Sequence, residues 1–360
     1  MRFTQSGKLS MIIDGQFGST GKGLIAGYVA LNDRVDFGMT NASANAGHTC
    51  IMDKKYVAYH LPMVSVLTNR PAFLCAGSII DPRVLLAEIE TLGVAPENVH
   101  IHPRAAVIEP EDVAAELQPD SSVTKIGSTQ HGVGRALARK INRSARLAED
   151  VDALKPFIVA DFRSRVRSML MGGAHGVMEV PQGFGLGINS GYAYPYCTSR
   201  EISVSQALSD AQLHPSLLGA VMMTLRTYPI RVGSINNAKR GEPGWSGPFY
   251  WDSSEVTWAG VGVEPERTTV TGRIRRIGSW SQAQLQDAVL QLRPDVVFLN
   301  FVNYLKYPGA FDYLRSQLVS VCGSSVPHLY GLGPDPRHDV VESVEEVYTR
   351  KEWNIALFRS

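Results

Sequence analysis

The 360-residue sequence predicts an α/β fold: one domain, residues 1–360, with a largely parallel central sheet flanked by helices. Three observations predict it. Short apolar runs of strand length alternate with helical patterns along most of the chain. The first of these runs leads straight into a glycine-rich loop and then a helix, which is the order of a parallel βα unit carrying a P-loop-like phosphate cradle. Finally, 44% of residues are hydrophobic, enough to close a sizeable core, and no linker divides the chain.

The elements follow in order. Leu9–Asp14 (LSMIID) reads as a buried strand, and Lys22–Leu31 as the helix after the glycine loop. Further strands are expected at Val57–His60, Ala72–Ala76, Ile79–Ile80, Val99–Ile101 and Val177–Val180. Later ones are expected at Thr224–Tyr228, Val296–Phe301 and His328–Tyr330, with helices at Pro82–Leu92, Ser281–Gln291 and Phe311–Val321. Residues Gly233–Gly262, rich in Gly, Ser and Trp, read as a long irregular loop with a small antiparallel excursion.

Charge and cysteine usage narrow the function classes. With 35 basic and 34 acidic side chains the net charge is +1, which gives no electrostatic footprint for a nucleic-acid partner. Cys50, Cys75, Cys197 and Cys322 are scattered, without C-x-x-C pairs, and fit reduced thiols in a cytoplasm. Met1–Lys8 is polar and unlike a signal peptide, and no apolar run approaches the roughly 20 residues that cross a bilayer. A membrane role is not expected.

In the glycine loop, Gly15, Gly18, Gly21 and Gly23 let the backbone approach a polyphosphate, and Lys22 supplies a point charge. The spacing is not that of a Walker A loop, because Gly23 follows Lys22 where Ser or Thr would stand.

Gln16–Gly23 (QFGSTGKG) resembles the loop of adenylosuccinate synthetases, which usually reads Gln-Trp-Gly-Asp-Glu-Gly-Lys-Gly. Asn45-Ala46-Gly47-His48-Thr49 matches that family's next block. Gly127-Ser128-Thr129, Gln182–Gly185 and Tyr194–Ser199 are similar to three more, followed by Arg231-Val232-Gly233, Thr269–Arg276 and Gly333-Pro334-Asp335. The blocks are collinear from residue 14 to residue 335.

The resemblance implies a reaction that replaces the 6-oxo group of a purine monophosphate with the amine of L-aspartate, after O6 is phosphorylated by a nucleoside triphosphate. Catalysis of that kind is mostly positioning and charge neutralisation around a transferring phosphoryl group. By the same resemblance His48 is the general acid, and Lys22 neutralises phosphate. Ser19 and the Gly47 carbonyl line Mg²⁺. The triphosphate falls to Gly18, Thr20, Gly21, Lys22 and Gly23, with Asn300, Asn303, Gly333 and Pro334 around its base. The monophosphate nucleotide falls to Ser19, Asn45, Ser128, Thr129, Gln182, Thr198, Val232 and Arg273. Val270, Thr271, Arg273 and Arg275 take the aspartate, two guanidiniums being suited to bidentate carboxylate pairing. Arg143 matches a position that relatives lend across a homodimer interface.

Departures from the family pattern set the expected substrates. The loop's acidic pair is replaced by Ser19 and Thr20. The usual aspartate at position 19 takes the purine N1 proton and sits beside C2. Serine is smaller and uncharged, leaves room for a 2-amino group, and accepts a hydrogen bond from it. The chain thereby resembles the 2-aminoadenylosuccinate synthetase branch found in certain bacteriophages, which acts on dGMP; the host cytoplasm would then be its setting. The N1 proton would pass to a carboxylate of the bound aspartate or to an ordered water. Asn303 stands where relatives carry the aspartate that selects GTP, and an amide suits adenine better, so ATP or dATP is expected. Ile274 replaces one arginine of the arginine-rich loop and lowers charge near the sugar. An ordinary synthetase acting on IMP and a catalytically inactive nucleotide-binding protein are the alternatives.

Overall fold

The computed structural model describes residues 2–268 and 271–353. Nine strands form its central sheet. In chain order they are β1 (Lys8–Asp14), β2 (Phe37–Thr40), β3 (Ala72–Leu74), β4 (Val99–Ile101), β5 (His175–Glu179), β6 (Leu218–Arg226), β7 (Val296–Asn300), β8 (His328–Gly331) and β9 (Val340–Val341). Across the sheet they lie in the order β9-β8-β7-β6-β1-β5-β2-β3-β4. Every pairing is parallel except that of β9 with β8.

Helices cover both faces, so the strands are apolar on both sides. In β1, Leu9, Met11 and Ile13 pack into one core, while Ile12 points into the other with Ile25 and Val29 of helix α1 (Lys22–Asn32). The period of two along β6 works the same way: Val221, Met223 and Leu225 face the first core and Met222 the second. The chain builds outward from β1 through β2, β3 and β4, returns as β5, then continues on the other side as β6, β7 and β8. In open α/β sheets such a reversal leaves a crevice at the carboxyl ends of the strands.

The expected α/β class with a mostly parallel sheet is the one observed, and the small antiparallel excursion is present too. Ile230–Arg231, Arg276–Gly278 and Glu255–Val256 form a three-stranded antiparallel sheet. Some boundaries differ. The strand expected at Val57–His60 is Lys55–Ala58, and it pairs with His48–Ile51 in a hairpin outside the central sheet. It stops there because the Glu88 carboxylate takes the N–H groups of Tyr59, His60 and Leu61 at 2.8, 3.0 and 3.1 Å. The run Thr224–Tyr228 is the end of the longer β6, extended by parallel partners on both sides.

β2 carries little strand signal in the sequence, since FGMT is short and holds a glycine. Tertiary packing demands that glycine: a Cβ on Gly38 would lie 2.4 Å from Ser65 Oγ and 2.7 Å from Val64 Cγ2 in the helix Met63–Thr68 above it. Gly38→Ala is therefore expected to destabilise the protein by about 1–3 kcal/mol. Urea denaturation measures it, and an unshifted midpoint would contradict this packing. Among the described residues all four cysteines are free thiols, and no helix is long and apolar enough to cross a membrane.

Candidate active site

Four adjacent strands, β7, β6, β1 and β5, end in polar residues: Asn300, Arg226, Asp14 and Glu179. All four are at most 1% exposed. Each holds a loop in place, and together they build the site.

Asp14 organises the glycine loop. Its Oδ1 accepts from the N–H groups of Gln16 (2.8 Å) and Gly18 (3.3 Å). Its Oδ2 accepts from Thr20 N (3.3 Å), Thr20 Oγ1 (2.5 Å) and Lys22 Nζ (3.1 Å). Lys22 Nζ also donates to the Gln182 carbonyl at 2.7 Å, which joins the loop to the end of the β5 segment. Gly23, in the first turn of α1, lies so close to the hairpin that a Cβ would sit 2.2 Å from the Thr49 carbonyl.

Glu179 organises His48. His48 Nδ1 donates to Glu179 Oε2 at 2.7 Å, and Oε1 accepts from Val64 N at 2.9 Å. That fixes the imidazole's orientation and keeps Nδ1 protonated, so that donation from Nε2 requires the doubly protonated ring. His48 Nε2 is buried and has no protein partner among the described residues, while His48 lines both cavities described next.

The first cavity, of about 590 Å³, is lined by Gly18, Ser19, Asn45, Ser128, Thr129 and Gln182, and further by Thr198 and Val232. Gln182 Nε2 donates to Asn45 Oδ1 at 2.7 Å. The second, of about 450 Å³, is lined by Gly21, Gly23, Asn300, Asn303, Gly333 and Pro334. Ser19, Lys22, Gly47, His48 and Arg275 border both. A phosphoryl group passing between ligands in the two cavities would thus meet a lysine, a histidine and an arginine. Burial pushes the Arg275 guanidinium down to about 10, still protonated near neutrality.

The chain matches the adenylosuccinate synthetase family model over residues 11–157 and 145–307. The N6-succino-2-amino-2'-deoxyadenylate synthase of Acinetobacter phage SH-Ab 15497 is 37% identical over 92% of each chain. The chain belongs to the adenylosuccinate synthetase family. An archaeal adenylosuccinate synthetase, from Archaeoglobus fulgidus, is 33% identical over 75% of this chain and 76% of its own. The solved cyanophage S-2L succinoaminodeoxyadenylate synthetase, bound to dGMP and to dATP as an energy donor, superimposes with a TM-score of 0.83. It is 32% identical and covers 95% of this chain and 99% of its own.

Within this synthetase several expected site residues stand elsewhere than expected. Thr20 is fully buried and lines neither cavity, because its hydroxyl is taken by Asp14 and by Thr224 Oγ1 at 2.6 Å. Gly18 borders the first cavity rather than the second. Arg273 lies behind the first cavity, donating to the carbonyls of Gly127 (3.2 Å) and Ser128 (2.7 Å) and to Thr271 Oγ1 (3.1 Å). It thereby ties the arginine-rich loop to the Ser128–Thr129 block. Ile274 is half-exposed and lines neither cavity, so its replacement of an arginine does not bear on a bound sugar directly. Arg143 is exposed beyond the helix Val133–Ile141 and does not reach either cavity of its own chain. Val270 lies outside the described residues.

Nothing local in the sequence marks the roles of Asp14, Glu179, Arg226 and Arg231. Arg231 falls inside a matched block, but only the fold shows its use. Its three nitrogens donate to the carbonyls of Ser246 (2.7 Å), Pro248 (3.0 Å) and Tyr196 (2.8 Å), and it lies 4.5 Å over the Phe17 ring. It pins two irregular segments around the first cavity, and burial pushes it down to about 9.

The expected Mg²⁺ finds oxygen donors of the hard kind it prefers at Ser19 and Gly47, where the cavities meet. Ser19 Oγ accepts from the Arg275 guanidinium, which leaves the Gly47 carbonyl the better donor. No cluster of three or more His, Cys, Asp or Glu side chains suited to a metal occurs among the described residues, so nucleotide phosphates would supply most ligands.

Glu179→Gln is expected to lower kcat by about 10- to 1000-fold with nucleotide KM near wild type, because the imidazole loses its fixed tautomer. Steady-state kinetics decide it; an unaltered kcat would remove this role from Glu179.

Proposed function

We propose that this synthetase joins L-aspartate to C6 of dGMP, using ATP or dATP and Mg²⁺, and releases N6-succino-2-amino-2'-deoxyadenylate. The observation that carries this reading is Ser19. It stands on the wall shared by both cavities, with its hydroxyl oxygen accepting from Arg275. That oxygen keeps a lone pair for a purine 2-amino group, and no carboxylate stands at this position to crowd it. The phage relative from Acinetobacter supports the same reading through the product in its name, and the cyanophage structure through its bound dGMP and dATP.

In this reading dGMP occupies the first cavity. Asn45, Ser128, Thr129, Gln182, Thr198 and Val232 orient it, and Arg143 reaches its phosphate from the other protomer of a homodimer. The donor nucleotide occupies the second cavity, with its base against Asn300, Asn303 and Pro334 and its phosphates toward Gly21, Lys22 and Gly23. The Gly47 carbonyl and the nucleotide phosphates would hold Mg²⁺, which would supply charge neutralisation there. Lys22 adds a second cation, and His48 Nε2 donates to the developing charge at O6 and the transferring phosphoryl group. Arg275 pairs with the aspartate carboxylates, and Arg273 and Thr271 fix the loop that carries it. The purine N1 proton passes to one of those carboxylates or to water. The aspartate amine then displaces phosphate from C6.

Incubating the protein with dGMP, L-aspartate, ATP and Mg²⁺ and looking for the succino-purine by mass spectrometry tests the reading. Turnover of IMP with GTP, and none with dGMP, would overturn it.

A further inference from the structure

Behind Ser19 lies a charged cluster centred on Arg226 and Glu266, whose ion pair none of the contacts above uses. Arg226, at the end of β6, is 0% exposed. Its Nη1 donates to the Ser19 carbonyl at 3.1 Å, and its guanidinium lies 4.0 Å over the ring of Phe301 in the second cavity. Arg275 holds the other oxygen of the same residue, the Ser19 hydroxyl. Two guanidiniums therefore grip the two oxygens of Ser19, which is kept at φ 57°, in the left-handed region.

One carboxylate serves both cations. Glu266 accepts from Arg226 Nη2 at 2.5 Å and Nη1 at 3.2 Å, and its Oε2 lies 3.8 Å from Arg275 Nε. The main chain adds a link, Arg275 N donating to the Glu266 carbonyl at 2.9 Å. The third partner comes from the donor side: Tyr304 Oη donates to Glu266 Oε1 at 2.9 Å, and Tyr304 and Glu266 both line the second cavity. Burial raises the Glu266 pKa, but Arg226, Arg275 and the Tyr304 hydroxyl outweigh it and hold the carboxyl below its usual range. It is ionised at working pH.

We propose that Glu266 is the positioning residue that holds Arg226 and Arg275 together on Ser19, and that through Tyr304 it makes aspartate binding depend on the donor nucleotide. Without the carboxylate, two like charges bear on one residue, and Arg275 loses the counter-ion that aims it between Ser19 and the aspartate site. With it, a base packed against Tyr304 and Phe301 orders the same carboxylate that sets Arg275. The coupling is reciprocal, so aspartate must tighten the donor by the same factor. The purine-specificity part rests on the dGMP reading; the aspartate part does not.

Glu266→Gln, Glu266→Asp and Tyr304→Phe test this. In the wild type, the KM for aspartate is expected to fall as ATP rises toward saturation. Glu266→Gln is expected to raise the aspartate KM by about 10-fold or more and to narrow the dGMP-over-IMP preference, with Glu266→Asp restoring part of both. Tyr304→Phe, a milder change, is expected to make the aspartate KM independent of ATP. A Glu266→Gln protein with wild-type aspartate KM and base preference overturns the proposal. Should that variant fail to fold in a thermal melt, Tyr304→Phe decides, because retained ATP dependence overturns the coupling. A wild type that turns over IMP and not dGMP sinks the dGMP reading alone, and the aspartate KM is then read with IMP.

Discussion

Ser19→Asp is expected to cut kcat/KM for dGMP by about 100-fold or more and to bring IMP turnover up from near zero. A carboxylate at this position replaces the hydroxyl on the wall shared by both cavities and pairs with the Arg275 and Arg226 guanidiniums that now hold Ser19. It fills the space reserved for a 2-amino group. With hypoxanthine, which has hydrogen at C2, the same carboxylate meets no obstruction and supplies a base for N1. The backbone tolerates the change, since Asp adopts positive φ more readily than most residues. The measurement is kcat/KM for both nucleotides with ATP and aspartate saturating. Undiminished dGMP turnover would show that position 19 does not gate the 2-amino group.

His48→Asn is expected to lower kcat by about 10²- to 10⁴-fold, the usual range for removing a positioned general acid, with the KM values of all three substrates within a few-fold of wild type. Asparagine keeps a polar group near Nδ1 but has no titrating nitrogen where Nε2 stands. The split between kcat and KM is the informative part. Loss of binding alone would make His48 a ligand contact, contrary to the arrangement in which Glu179 orients the ring and Nε2 remains unpartnered by protein. Single-turnover measurements of O6 phosphorylation place the defect at the chemical step.

The residues that line the two cavities were legible because they cluster in contiguous blocks. The run Gly18–Gly23, apart from Thr20, the block Asn45–His48 and the pair Ser128–Thr129 border one cavity or the other, and local order in a loop is a local property. The same holds for the core strands, whose apolar runs mark burial on both faces. Position 19 shows how far this goes: one substitution within a block indicates the expected purine.

The residues that hold those blocks in place were not legible. Glu179 acts on His48 across 131 positions and Arg226 on Ser19 across 207, and no periodicity or spacing marks such pairs. Each lies at the last residue of a strand, where it reads as a stray polar end to an apolar run. Thr20 misled in the opposite direction: it sits within the phosphate loop, yet its hydroxyl turns inward to Asp14. Sequence thus marked the groups that line the two cavities, because those groups come in short stretches. Parallel strand order settled which buried charges aim them, because the sheet brings the carboxyl ends of β7, β6, β1 and β5 side by side from distant parts of the chain.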